Sequence, residues 1–146
     1  MSNANWKEDS YPKVYLYRRI VRSKLFIDGN FCNNIDVDCI AGQAYFSKFH
    51  FMRLFKKIYG RTPHQYLSFK RMERAKLLLS ENCSVTEVCF AVGFDSVGSF
   101  ATLFKRTVGE APSVYQRRQQ RRKAETMRQP LRFIPGCFSA KYATIA

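Results

Sequence analysis

The sequence predicts an all-α chain in which two helix-turn-helix subdomains are joined by a long connecting helix, about seven helices in total. Three observations predict it: an internal duplication, apolar residues at helical spacing between caps, and a strongly basic charge balance. Phe46 to Tyr66 reads FSKFHFMRLFKKIYGRTPHQY, and Phe94 to Tyr115 reads FDSVGSFATLFKRTVGEAPSVY. Ser47, Phe51, Leu54-Phe55-Lys56, Gly60, Pro63 and Tyr66 return 49 residues later as Ser96, Phe100, Leu103-Phe104-Lys105, Gly109, Pro112 and Tyr115. Asp95 is an extra residue in the second turn, so upstream positions repeat at 48: Val37 with Val85, Ile40 with Val88, Ala44 with Val92. Two copies are too few for a solenoid. This is a duplicated module.

In chain order, residues 1–12 read as a polar arm ending at Pro12. A first helix follows over 13–30, with Tyr17, Ile20, Val21 and Leu25 inward, Arg18, Arg19, Arg22 and Lys24 outward, and Gly29 ending it. The first subdomain covers 13–61. In its repeat copy Asp36 caps a short helix whose inner face is Val37, Ile40 and Ala44, the spacing of one buried stripe. Tyr45-Phe46 makes the corner, and Ser47 caps a second helix. Phe51, Leu54, Phe55 and Ile58 point inward there, and Lys48, Phe49, Met52, Arg53, Lys56 and Lys57 point away. Gly60 is the stop, being tolerant of the left-handed region.

The connecting helix, 62–81, has strong start signals: Thr62 as cap, Pro63 at the first helical position and Gln65 completing a capping box. Leu67, Met72, Ala75, Leu78 and Leu79 form its inner face. The second subdomain, 82–118, repeats the plan: Ser84 with Glu87 as capping box, Gly93-Phe94 corner, Ser96 cap, Phe100, Leu103 and Phe104 inward, Gly109 stop. Pro112 opens a last helix that runs into Arg117-Arg118-Gln119-Gln120-Arg121-Arg122-Lys123. The remaining tail, 119–146, is basic and then apolar around PLRFIPGCF.

A plain helical hairpin has the same pattern; the charge argues against it. Lys and Arg number 25 against 11 Asp and Glu, net +14 with a pI near 9.9, so the chain expects a polyanionic partner. At 46% hydrophobic residues it can bury a core, which excludes disorder for most of its length. No apolar run reaches the roughly 20 residues of a membrane span, and the N-terminus lacks the apolar stretch of a secretory signal. The five cysteines show neither CxxC nor Cys/His zinc spacing, so reduced thiols in a cytoplasmic, nucleoid-associated protein are expected. Cys39 and Cys89 fall on the inner faces of the two short helices, and Cys137 in an exposed segment. His50 and His64 have no acidic or cysteine neighbours at ligand spacing. No metal, no cofactor and no catalytic constellation are expected.

The connecting-helix pattern Arg71-x3-Ala75-x2-Leu78 and the ending Gly93-Phe94, Ser96, Phe100, Phe104-Lys105, Gly109, Pro112, Tyr115 resemble the AraC/XylS family of bacterial transcription regulators. The resemblance covers about residues 14–118. Most members add an effector or dimerisation domain, for which this chain has no room, so it is more similar to the stand-alone members. The resemblance implies a monomer on double-stranded DNA, two recognition helices in adjacent major grooves, and recruitment of RNA polymerase, usually as an activator. A connecting rod of about 27 Å suits grooves about 34 Å apart once the width of each module is added.

Carried over position by position, the family's base-reading residues fall on Phe49, His50, Met52 and Arg53 in the first recognition helix. Arg53 can meet guanine O6 and N7 bidentately; a solvated or phosphate-bound arginine is the plainer alternative. Phe49 suits contact with a thymine methyl, or else core packing. In the second helix the positions are Val97, Gly98, Ser99 and Thr102, small side chains where many relatives have longer polar ones, which favours phosphate anchoring there. Phosphate contacts are assigned to Lys48, Lys56, Lys57, Ser96, Lys105, Arg106, Arg117 and Arg118. A sequence-indifferent architectural binder is the first competing class. The second is an enzyme, since this domain type also occurs beside DNA-alkyl transfer domains. That chemistry needs a Pro-Cys-His-Arg-like setting, which Pro135-Gly136-Cys137-Phe138 does not supply.

Overall fold

The duplication folds twice. The computed structural model describes residues 10–44, 47–129 and 132, among which lie seven helices and no strand. They are α1 (Ser10–Asn30), α2 (Val37–Ala44), α3 (Lys48–Tyr59), α4 (Pro63–Ser80), α5 (Val85–Ala91), α6 (Val97–Val108) and α7 (Pro112–Arg128). Of the arm expected over residues 1–12, residues 1–9 lie outside the described residues, as do the Tyr45-Phe46 corner and the segment around Cys137; residues 10–12 are not arm but the first residues of α1, which starts at Ser10 rather than at residue 13.

Two hydrophobic clusters form, and α4 belongs to both. Ile20, Ile27, Ile40, Ala41, Phe51, Phe55 and Leu67 make the first, on α1, α2, α3 and the start of α4. Met72, Ala75, Leu79, Val88, Cys89, Val92, Phe100 and Phe104 make the second, on the rest of α4 with α5 and α6. The repeated aromatics repeat their geometry. Phe51 and Phe55 lie 5.6 Å apart centre to centre, and Phe100 and Phe104 5.7 Å. Tyr66 meets Phe55 edge-on at 5.7 Å, as Tyr115 meets Phe104 at 5.5 Å. Such edge-to-face pairs add directional preference to the area they bury, so each recognition helix is fixed in rotation by the helix that follows it.

The helix ends are built as the local chemistry dictates. Gly60 and Gly109 stop α3 and α6 at φ 71 and 93, where a residue without Cβ carries no steric penalty. Thr62 with Gln65 and Ser84 with Glu87 form complete capping boxes at α4 and α5. Asp36 Oδ1 accepts the Cys39 amide at 2.7 Å. Ser47 differs, standing at the α3 N-cap without a side-chain hydrogen bond.

Three expectations require correction. The buried stripe of α1 is Ile20, Ser23 and Ile27, whereas Tyr17, Val21 and Leu25 are 49%, 44% and 58% exposed. The helix is apolar on two sides, and the stripe carrying small Ser23, whose hydroxyl returns to Arg19 O at 3.0 Å, is the one packed inward. Gly29 does not end α1; Asn30 does, its side-chain amide donating to Phe26 O at 2.9 Å. Cys39 is exposed, because Ile40 and Ala41 take the inner face of α2, while Cys89 is buried. The last helix runs through the Arg117–Lys123 stretch, as expected, and on to Arg128. It is held to the α4–α5 turn by Gln116 donating to Cys83 O at 2.7 Å, by Gln120 on Asn82 and by Lys123 on Ser80 O.

One side chain anchors α1 to the connecting helix, and a second ties the two halves together. Asp28 on α1 accepts from Tyr66 at 3.0 Å and pairs with Lys24 at 2.6 Å and Lys70 at 3.4 Å. Burial pushes its carboxyl up, but the hydrogen bonds from Lys24 and Tyr66 win and hold it below its ordinary value. At the seam between clusters, Arg71 of α4 donates through Nε to Phe31 O at 2.7 Å and through Nη2 to Asn33 O at 2.8 Å. The same guanidinium lies 5.3 Å over the ring of Phe94. It therefore links the loop after α1 to the corner before α6.

Candidate nucleic-acid interface

With Phe51 and Phe55 fully buried, α3 has one orientation available, and its opposite face is offered to solvent. Phe49 is 80% exposed, an aromatic ring with almost no partner in the free protein. His50, Arg53, Lys56 and Lys57 are exposed beside it, and Met52 is half-buried. Lys48 is exposed too, but its ammonium pairs with Asp38 at 2.9 Å, so it must give up or share that carboxylate to meet a phosphate.

The second head is built alike and furnished differently. Phe100 and Phe104 turn inward and leave Gly98, Ser99, Thr102, Lys105 and Arg106 exposed on α6. Small side chains leave a hollow of about 420 Å³ bounded by Gly98, Ser99, Thr102, Leu103 and Arg106. Ser96 Oγ accepts the Ser99 amide at 3.4 Å, and the Thr102 hydroxyl donates to Gly98 O at 2.9 Å. Val97 is half-buried against the second cluster, so its side chain serves the core more than the open face. Neither recognition helix carries an acid: α3 reads KFHFMRLFKKIY and α6 reads VGSFATLFKRTV.

On α7 the two basic candidates part company. Arg117 is exposed, with only a long 3.4 Å bond to Ser113 O. Arg118 is engaged within the protein, pairing with Glu110 at 2.5 Å and lying 5.5 Å over the Tyr115 ring. Among the described residues no group of His, Cys, Asp and Glu is placed to hold a metal ion, and no helix is long and apolar enough to cross a membrane. Burial raises the Cys89 thiol above its ordinary value, the opposite of what an activated cysteine needs.

Two acid-free recognition helices, each locked against its own core and both mounted on one connecting helix, define a two-headed helix-turn-helix DNA-binding protein. Residues 40–118 match the family described as "Helix-turn-helix domain". The chain belongs to the AraC/XylS family of helix-turn-helix transcription regulators. It is 37% identical over 93 residues to the HTH-type transcriptional activator AarP of Providencia stuartii, covering 63% of this chain and 69% of AarP. With the bifunctional transcriptional activator/DNA repair enzyme AdaA of Bacillus subtilis it shares 32% identity over 102 residues, covering 69% of this chain but 47% of AdaA. The DNA-binding domain of AdpA, solved in complex with a target DNA, superposes with a TM-score of 0.66 at 28% identity, covering 77% of this chain and 96% of that one.

Proposed function

We propose that the protein binds an asymmetric DNA site as a monomer, reading two successive major grooves with α3 and α6, and activates transcription by contacting RNA polymerase. The observation that carries this reading is the inequality of the two heads. One chain bears two unlike recognition helices, and a pair without two-fold symmetry matches a site without it. Arg53 is the principal base reader, through a bidentate contact to guanine. Phe49 supplies apolar contact to a thymine methyl, with His50 and Met52 at its sides. On α6 the hollow between Gly98, Ser99 and Thr102 admits base edges closely and gives readout by fit more than by hydrogen bonds; Val97 contributes least.

Lys56, Lys57, Lys105, Arg106 and Arg117 neutralise phosphates, with Lys48, Ser96 and Arg118 joining as their internal partners allow. Activation rests on the likeness to AarP, and a place among nucleoid DNA follows from the ligand. Chemistry is not part of the reading: the alignment with AdaA stops at less than half of that protein, and no reactive-cysteine motif of the alkyl-transfer kind stands in this sequence. Selection of bound sites from random DNA tests the proposal. An asymmetric consensus with two conserved blocks about one turn apart is expected; no enrichment over input would leave the sequence-indifferent binder standing.

A further inference from the structure

The turn after α3, the first turns of α4 and the outer face of α6 enclose a cleft of about 500 Å³. Arg61, His64 and Arg106 line it, with Gln65, Ser68 and Thr107 as hydrogen-bonding neighbours, and no carboxylate does. Arg61 is held rather than loose: its guanidinium lies 4.1 Å above the ring of Phe69, a stacking that reduces the entropy lost when the charge meets an anion. The positive end of the α4 dipole sits at the same place, since α4 begins at Pro63. Leu103 and Arg106 belong to this cleft and also to the hollow on α6, so the cleft is continuous with the reading face of the second head.

When two heads enter successive major grooves on one side of a duplex, the minor groove between them faces the gap between the heads, rimmed by its two sugar-phosphate strands. We propose that this cleft is a clamp for the phosphodiester backbone between the half-sites, with Arg61 its principal cation and His64 and Arg106 at its sides. The clamp rests on the two-groove reading and adds binding residues to it: Arg61 and His64 lie outside both recognition helices. It also gives the connecting helix a second task, because α4 then carries part of the binding surface as well as the spacing.

The test uses the full chain and its selected duplex. Arg61→Gln is expected to weaken binding several-fold and to flatten the log–log salt slope by about 0.9, one phosphate's worth, while Arg61→Lys keeps most of the slope. Methylphosphonates at the central steps of the duplex should produce the same flattening with the unaltered protein, a readout independent of how well any variant folds. Inorganic phosphate, titrated at constant ionic strength, should not compete; competition would assign the cleft to a free anion and overturn the clamp. A bounded two-groove footprint with a salt slope indifferent to central methylphosphonates and to Arg61→Gln sinks the clamp alone. Absence of any bounded footprint sinks the two-groove reading on which it rests.

Discussion

Gly93 stands at φ +83, and a Cβ built there would lie 2.6 Å from Cys32 O and 2.9 Å from Cys32 C, with Arg71 Nη2 at 3.1 Å. Gly93→Ala therefore meets two penalties. Placing an L side chain in the left-handed region costs about 1–2 kcal/mol. The new Cβ meets the backbone of Cys32 rather than the end of a flexible side chain, so the loop after α1 must move, and that loop is pinned by the Arg71 hydrogen bonds to Phe31 O and Asn33 O. Weakening one charge-assisted bond of this kind costs about 1.5–3 kcal/mol. The sum, about 2.5–5 kcal/mol, is a large part of the stability of a typical domain, about 5–15 kcal/mol, and lowers Tm by roughly 8–17 °C. Gly60→Ala is the control: φ is +71 there, but nothing lies within 4 Å of the new Cβ, so only the conformational penalty applies and Tm falls by roughly 5 °C. Thermal melts followed by far-UV circular dichroism compare the two. Equal losses would refute the claim that close approach at the seam, rather than the glycine conformation, sets the penalty at Gly93.

Other outcomes follow from the same geometry. Arg53→Ala should remove about 1–3 kcal/mol of discrimination while leaving most of the non-specific affinity; competition between the selected duplex and a scrambled one measures this, and an undiminished preference would retire Arg53 as a base reader. Because the folded Asp28 carboxyl is held below its ordinary value of 3.8, its stabilising effect is present above that pH and fades as pH falls through the lowered folded value. The Tm difference between the wild type and Asp28→Asn should therefore be full near neutrality and close in acid; a difference that does not vary with pH contradicts it. Thr62→Ala removes a complete capping box and should cost about 1 kcal/mol. Ser47→Ala removes no cap hydrogen bond and should leave Tm nearly unmoved, so urea melts showing equal losses would count against the cap assignment.

Much of the fold was legible because its signals are local. A capping serine or threonine, a stop glycine and a buried phenylalanine pair act within one helix, and they mark α3, α4, α5 and α6 in the sequence as in the structure. The exposed faces of α3 and α6 were readable for the same reason: once Phe51, Phe55, Phe100 and Phe104 turn inward, Phe49, Arg53, Ser99 and Thr102 have to turn outward. Where two faces of a helix are both apolar, the sequence cannot choose. Ile20 was read inward and is buried, but Tyr17, Val21 and Leu25 lost the rest of the α1 core to Ser23 and Ile27, because packing against α2 and α3, not periodicity, selects the stripe. Arg71 bonding carbonyls 38 and 40 residues away, Gly93 resting on Cys32, and Arg61 facing Arg106 across a cleft are long-range events. Their sequence traces are slight: an arginine on a core-lining helix, a glycine before Phe94, and a basic residue between Gly60 and Thr62.

The central claim, one chain with two unequal heads on one site, is tested most directly by the mass of the complex on a single selected duplex, measured by light scattering alongside a hydroxyl-radical footprint. One chain per duplex with two protected stretches about one helical turn apart is the predicted result. Two chains per duplex on a symmetric footprint would contradict it, because a single two-headed chain would then be reading only half of its site.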